Sequence, residues 1–272
     1  AFPEGPVVMA DGSCIAVEIH AGTITRSWNG RTETGARPGG GPNGAAIGPD
    51  GALWICNSGG MGATGPGSEG RIERVDLATG KVDRVYESCD GHPLQAPNDL
   101  VFDADGRLWF TDLGKLGKTE RTIGGAFTAL PDGSSITALY RNAISYNGIG
   151  LSPDGRHVYV ADTFQARLYR FDALAQAQEP QYIATAAGAV GFDSLAVTAA
   201  GNICVAMVFE GGIATISPEG EIIVKRIEGE RHVTNIAFGG EDMRDAWLTL
   251  SGSGRLARMR WPEPGLKLAF NA

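Results

Sequence analysis

Residues Asn98–Asp112 read NDLVFDADGRLWFTD. A polar residue leads, a short apolar run follows (Leu100–Phe102), an Asp-Gly pair turns the chain, and a second apolar run returns (Leu108–Phe110). Asp-Gly between two apolar runs is a strong hairpin signal, because glycine readily adopts the left-handed backbone that tight turns require. The same pattern stands upstream in Asn43–Asn57 (NGAAIGPDGALWICN) and downstream in Asn147–Asp162 (NGIGLSPDGRHVYVAD). A weaker copy is Asp193–Met207 (DSLAVTAAGNICVAM), and the weakest is Asn235–Leu250 (NIAFGGEDMRDAWLTL). The chain opens with a sixth, Glu4–Ile19 (EGPVVMADGSCIAVEI).

The lead residues fall at 4, 43, 98, 147, 193 and 235, at steps of 39, 55, 49, 46 and 42. A period of this size with several strands per unit is the mark of propeller blades. The remainder of each unit supplies two more strands: 70–88 (GRIERVDLATGKVDRVYES) reads as strand, Thr79-Gly80 turn, strand. The expected fold is all-β, a single six-bladed β-propeller over 1–272, with four-stranded blades around a central metal-binding channel. A β-sandwich of similar strand count does not produce six copies in register.

Bulk properties agree. The 272 residues suit one large domain. Glycine is abundant at 40 residues without a collagen-like period, which indicates many tight turns. A net charge of −8 and the lack of a long basic stretch argue against nucleic-acid binding. Cys14, Cys56, Cys89 and Cys204 form no zinc spacing, and three of them sit in apolar strand-like runs. Reduced core cysteines point to a cytoplasmic protein. No apolar run is long enough to span a membrane and no signal peptide opens the chain, although a removed leader is compatible with a start at Ala1.

The first strand of each propeller blade lines the channel. Six lead residues in one phase therefore converge on one mouth: Glu4, Asn43, Asn98, Asn147, Asp193 and Asn235, with Asp99 beside the third. Asn and Asp also precede strands as turn caps, but six in register around one axis is more than capping requires. Two carboxylates brought together repel unless a cation lies between them. Hard oxygen donors without His or Cys suit one divalent ion, calcium first, then manganese, magnesium, zinc or ferrous iron.

These copies resemble the gluconolactonase family, which includes regucalcin and luciferin-regenerating enzyme. The likeness is strongest in DGHPLQAPNDLVFDADGRLWFTD (90–112), GPNGAAIGPDGALWICN and NGIGLSPDGRHVYVADT, and the opening Glu-Gly-Pro is similar to the family's N-terminal ligand motif. The resemblance implies a six-bladed propeller with one divalent ion, and its metal ligands fall on Glu4, Asn98, Asn147 and Asp193. Asn43 lies in the same ring, as a direct or water-bridged contact, and Asn235 lies further out. One departure stands out: sugar-lactone-hydrolysing members similar to regucalcin carry an Arg where this chain has Ala96, which points away from that kind of sugar.

The expected chemistry is metal-dependent lactone hydrolysis by metal-activated water. A cation polarises the carbonyl, water attacks, and a carboxylate takes its proton. Asp193 is the first candidate for that base and Asp99 the second. No GxSxG elbow competes. The small-molecule substrate is expected to meet Asn43, His232 and Arg121, the last in a loop with Lys115 and Lys118. Asn57, Asp112 and Asp162, at the ends of second strands, are further candidates near the mouth. The alternatives are a phosphotriesterase-like hydrolase, a metal-free strictosidine-synthase-like condensing enzyme, and a non-catalytic calcium-binding propeller. A monomer or small homo-oligomer is expected.

Overall fold

The structure, a computed structural model, describes residues 2–60, 67–117, 119–175, 178–188 and 190–270. The described residues contain strands and turns and no α-helix. Six antiparallel sheets, spanning 3–36, 42–86, 97–143, 146–185, 192–225 and 233–260, are blades one to six, and each runs from inner to outer strand in chain order. Blades one to five have four strands. Blade six shows three among the described residues, ending at the charged edge strand Arg255–Arg260. A small hairpin at 88–93, unforeseen in the sequence, joins blades two and three.

The hairpins between first and second strands explain the strength of each copy. In five blades a glycine with φ between 69° and 93° donates its N–H back across the turn: Gly12, Gly51, Gly106, Gly155 and Gly201. In blade six the residue making that bond is Met243, held at φ 57°. The weakest copy thus keeps the turn without its glycine, at the cost of left-handed backbone in a residue with a Cβ.

Five apolar clusters fill the seams between successive blades, from Val7, Ile15 and Ile55 at the first to Ile213, Ile236 and Leu248 at the last. The ring closes between blades six and one with a more polar set. Thr234 Oγ1 meets Thr249 Oγ1 at 2.9 Å and Ser251 Oγ at 2.5 Å, and Ser251 Oγ donates to the Pro3 carbonyl at 2.6 Å.

The segment after blade six crosses one end of the channel. Gly265 bridges Thr198 of blade five, and Leu266 N donates to the Val197 carbonyl at 2.9 Å. Leu268 packs on the cluster between blades three and four, and the Phe270 ring lies edge-on to Phe102, centroids 6.2 Å apart. Above this floor is a cavity of about 100 Å³, walled by apolar residues of the inner strands, with Asp99 and Asn235 at its upper boundary.

Candidate metal centre and active site

The inner strands Pro3–Val8, Pro42–Ile47, Pro97–Phe102, Tyr146–Leu151, Phe192–Val197 and Val233–Gly239 carry all six lead residues at their beginnings. The end that these residues occupy is opposite the floor, so it is the open mouth. In every blade the pairing with the second strand shifts register at this point, a bulge beside the lead residue. Bulges re-aim side chains. The strands also approach closely here. A Cβ on Gly148 would lie 2.6 Å from the Asp193 carbonyl oxygen, and one on Gly44 would lie 2.5 Å from Asp99 Cα.

A second device fixes the ring. One backbone bond per blade, 2.8–3.1 Å long, ties the residue after the second strand to the chain ahead of the first: Ile19 to Phe2, Ser58 to Gly41, Leu113 to Ala96, Thr163 to Ser145, Val208 to Gly191 and Ser251 to His232. In three blades a polar side chain adds to it. Asn57 Oδ1 accepts from Gly41 N and Gly59 N, Asp112 accepts from Gln95 N, Ala96 N and Gly114 N, and Asp162 Oδ1 accepts from Ser145 Oγ and Gln165 N. These three side chains therefore hold loops in place at the mouth. Asn57 is itself anchored by Glu73, which pairs with the buried Arg71.

Glu4, Asn98, Asn147, Asp193 and Asn235 are buried, and Asn43 is half-buried. Glu4 Oε2 accepts from Gly5 N at 2.9 Å and Asn235 Nδ2 at 3.0 Å. Asn235 Oδ1 accepts from Ile236 N, and its Nδ2 clamps Glu4. Asn147 Nδ2 donates to Thr163 Oγ1 at 3.1 Å, which leaves its Oδ1 with a long 3.4 Å contact from Ser194 Oγ. Asn98 Oδ1 is buried with no hydrogen-bond partner.

Burial raises the pKa of Glu4. Burial first, then the Glu4 charge, raises Asp99 to about 7. The same two causes push Asp193 well above the usual carboxylate range, with Asp99 adding to the effect. Three buried carboxylates thus repel one another, with no Lys or Arg among the causes acting on them. No group of three or more His, Cys, Asp or Glu able to hold an ion by itself occurs among the described residues. The expected ligands Glu4, Asn98, Asn147 and Asp193 would offer a mixed set of carboxylate and amide oxygens. An orphaned amide oxygen beside repelling carboxylates fits a hard cation.

Residues 2–252 match the family described as SMP-30/Gluconolactonase/LRE-like region. The chain belongs to this family. Among relatives, the gluconolactonase of Zymomonas mobilis is 26% identical over 296 aligned residues, covering 95% of this chain and 78% of that protein. A lactonase drp35 of Staphylococcus saprophyticus is 29% identical over 190 residues, covering 67% of this chain and 55% of its own length. The chain therefore spans just over half of that relative. Two solved structures share the fold: a gluconolactonase of Xanthomonas campestris (TM-score 0.79, 20% identity, 96% of this chain and 86% of that one), and regucalcin of Agrobacterium tumefaciens, described as a calcium-binding protein (TM-score 0.76, 22% identity, 98% and 94%).

Other mouth residues are placed as follows. His232 is exposed just ahead of the blade-six inner strand, its Nδ1 2.7 Å from the Val208 carbonyl. Arg121 stands in the loop after the second strand of blade three, its guanidinium over the Phe164 ring at 4.6 Å. Lys115 Nζ donates to the Ser68 carbonyl, joining two mouth loops, and Lys118 lies outside the described residues. No helix among the described residues is long and apolar enough to cross a membrane.

Proposed function

We propose that this chain hydrolyses a lactone at the channel mouth, with one divalent ion, calcium first, held by Glu4, Asn98, Asn147 and Asp193. The observation that carries the reading is Asn98 Oδ1, a buried acceptor without a donor, in a ring whose carboxylates have no cationic side chain to balance them. Membership of the family and similarity to a gluconolactonase and a lactonase support the substrate class. When bound, such an ion polarises a carbonyl and makes water a better nucleophile.

The chain's residues then divide the work. Asp193 takes the proton from the attacking water, a role a carboxylate beside the site can fill. Water oxygen bonds to the lactone carbonyl carbon, the ring C–O bond breaks, and the leaving oxygen recovers a proton to give a hydroxy acid. Asp99 bounds the lower cavity, so it acts on the site through charge, by raising Asp193. Asn235 fixes Glu4, and Thr163 fixes Asn147. Asn43 and His232 contact substrate from the mouth.

A lactone panel read by pH indicator, on chelated protein and after adding back calcium, manganese, magnesium, zinc or ferrous iron singly, tests this reading. Ring opening restored by metal is expected. Metal-dependent stabilisation with every lactone inert would leave a binding propeller and overturn the hydrolase.

A further inference from the structure

The mouth is not uniformly polar. Ten large apolar side chains are exposed among the described residues, and five of them stand on mouth loops of blades three to five: Leu116, Ile123, Ile144, Phe164 and Phe209, each 39–61% exposed. The others lie on turns at the floor end or on outermost strands. Two of the five adjoin the ring. Phe164 N donates to Ser145 Oγ at 3.0 Å, and its neighbour Thr163 holds the Asn147 amide. Phe209 N donates to the Val190 carbonyl at 3.0 Å, just ahead of Asp193, and its ring lies over Gly191.

Arg121 sits within this apolar arc. Its guanidinium covers Phe164, and its buried Nε has no hydrogen-bond partner among the described residues. The acid whose charge it feels is Asp162, and Asp162 Oδ1 is already engaged by Ser145 and Gln165. A cation partly removed from water with an N–H left unpartnered is costly, and a ligand carboxylate relieves that cost. The exposed rings and aliphatic chains around it gain when an apolar body covers them.

We infer that the substrate is an apolar lactone acid: a lactone whose hydrophobic body rests on Phe164 and Phe209 and whose carboxylate pairs with Arg121. This rests on the lactonase reading and names its substrate class. Such a compound carries too few hydroxyls to be a sugar lactone, so the reaction supplying it must cyclise or oxidise an apolar, often aromatic, precursor acid.

Three probes test this on the calcium-loaded protein: a benzo-fused γ-lactone bearing a carboxylate, the same lactone with methyl in its place, and gluconolactone. The carboxylated probe should exceed the methyl one in kcat/KM by about tenfold, the size of one partly desolvated ion pair. Arg121→Gln should bring that ratio near one and Arg121→Lys should keep part of it. Phe164→Ala should lower both benzo-fused probes relative to gluconolactone by about threefold. Because each ratio is taken within one variant, loss of folded protein cancels. Equal ratios in wild type and Arg121→Gln, or gluconolactone as the best substrate, would overturn the inference. If no lactone turns over, the hydrolase reading fails separately, and calorimetry with the carboxylated benzo-fused γ-lactam decides. A Kd weakened at least about fivefold by Arg121→Gln upholds the Arg121 site, and equal Kd values reject it.

Discussion

The two ends of the channel are built from the same six strands and differ in what those strands are asked to tolerate. At the mouth, the first positions carry Glu4, Asn98, Asn147, Asp193 and Asn235, bent inward by bulges and left with an orphaned oxygen and mutually repelling charges. At the floor, a few residues further along, the strands turn apolar and a C-terminal strap with Leu266, Leu268 and Phe270 closes the cavity. The comparison teaches that function sits where the fold accepts unsatisfied chemistry, and stability where it does not. Changes at the two ends should therefore separate cleanly.

The largest effect is expected from Asp193→Asn. It removes the proton acceptor while keeping the shape, so kcat with saturating calcium should fall by roughly 10²–10⁴-fold. The ion-free protein should at the same time melt no lower at pH 8, because a buried, repelled charge is gone. Steady-state assays and thermal melts on one preparation check both halves; near-normal kcat would end the role of Asp193.

The converse belongs at the floor. Gly265→Ala drives a Cβ into the Phe238 side chain. Overpacking of this kind costs about 1–3 kcal/mol, so urea unfolding should move by that amount while kcat of the surviving folded enzyme stays within about twofold. A large loss of kcat would mean that the strap reaches the mouth chemistry.

The pH response sharpens the contrast further. Burial raises Glu4, Asp99 and Asp193, with Asp99 at about 7. In ion-free protein the folded state thus holds protons that the unfolded chain has released above roughly pH 4. The stability from Asp99 is present below that pH and lost as pH rises through about 7, and Glu4 and Asp193 act in the same direction. A divalent ion prefers the same carboxylates ionised. Added calcium should therefore raise the melting temperature more at pH 8 than at pH 5, and an equal or reversed gain would place the ion elsewhere.

The smallest effect is local. Gly155 has φ 69° and open space where a Cβ would go. Gly155→Ala should cost about 1 kcal/mol from backbone alone. A change near zero would show that these turns tolerate a side chain as readily as blade six tolerates Met243.

Much of this was legible beforehand. Asn98–Asp112 announced its blade because each local signal agreed: lead amide, alternating apolar run, Asp-Gly turn. Blade six was faint because Met243 holds the position that glycine fills elsewhere. The loop-holding bonds of Asn57, Asp112 and Asp162 were not legible, because a side chain near a mouth can face loop or ligand and the sequence does not name its backbone donors. The strap was missed for a similar reason: Leu266, Leu268 and Phe270 read as an ordinary apolar tail until the channel beneath them exists.

The sequence by itself determined the repeat, the hairpins and the list of oxygen donors, since these follow from turn chemistry and side-chain period within some fifteen residues. Only the tertiary structure decided which donor keeps a free oxygen, which carboxylate faces the lower cavity, and that Arg121 lies over Phe164 with its Nε unpartnered among the described residues. Those outcomes depend on contacts between blades some forty or more residues apart in the chain, where burial and charge at one position are set by neighbours that local pattern does not name.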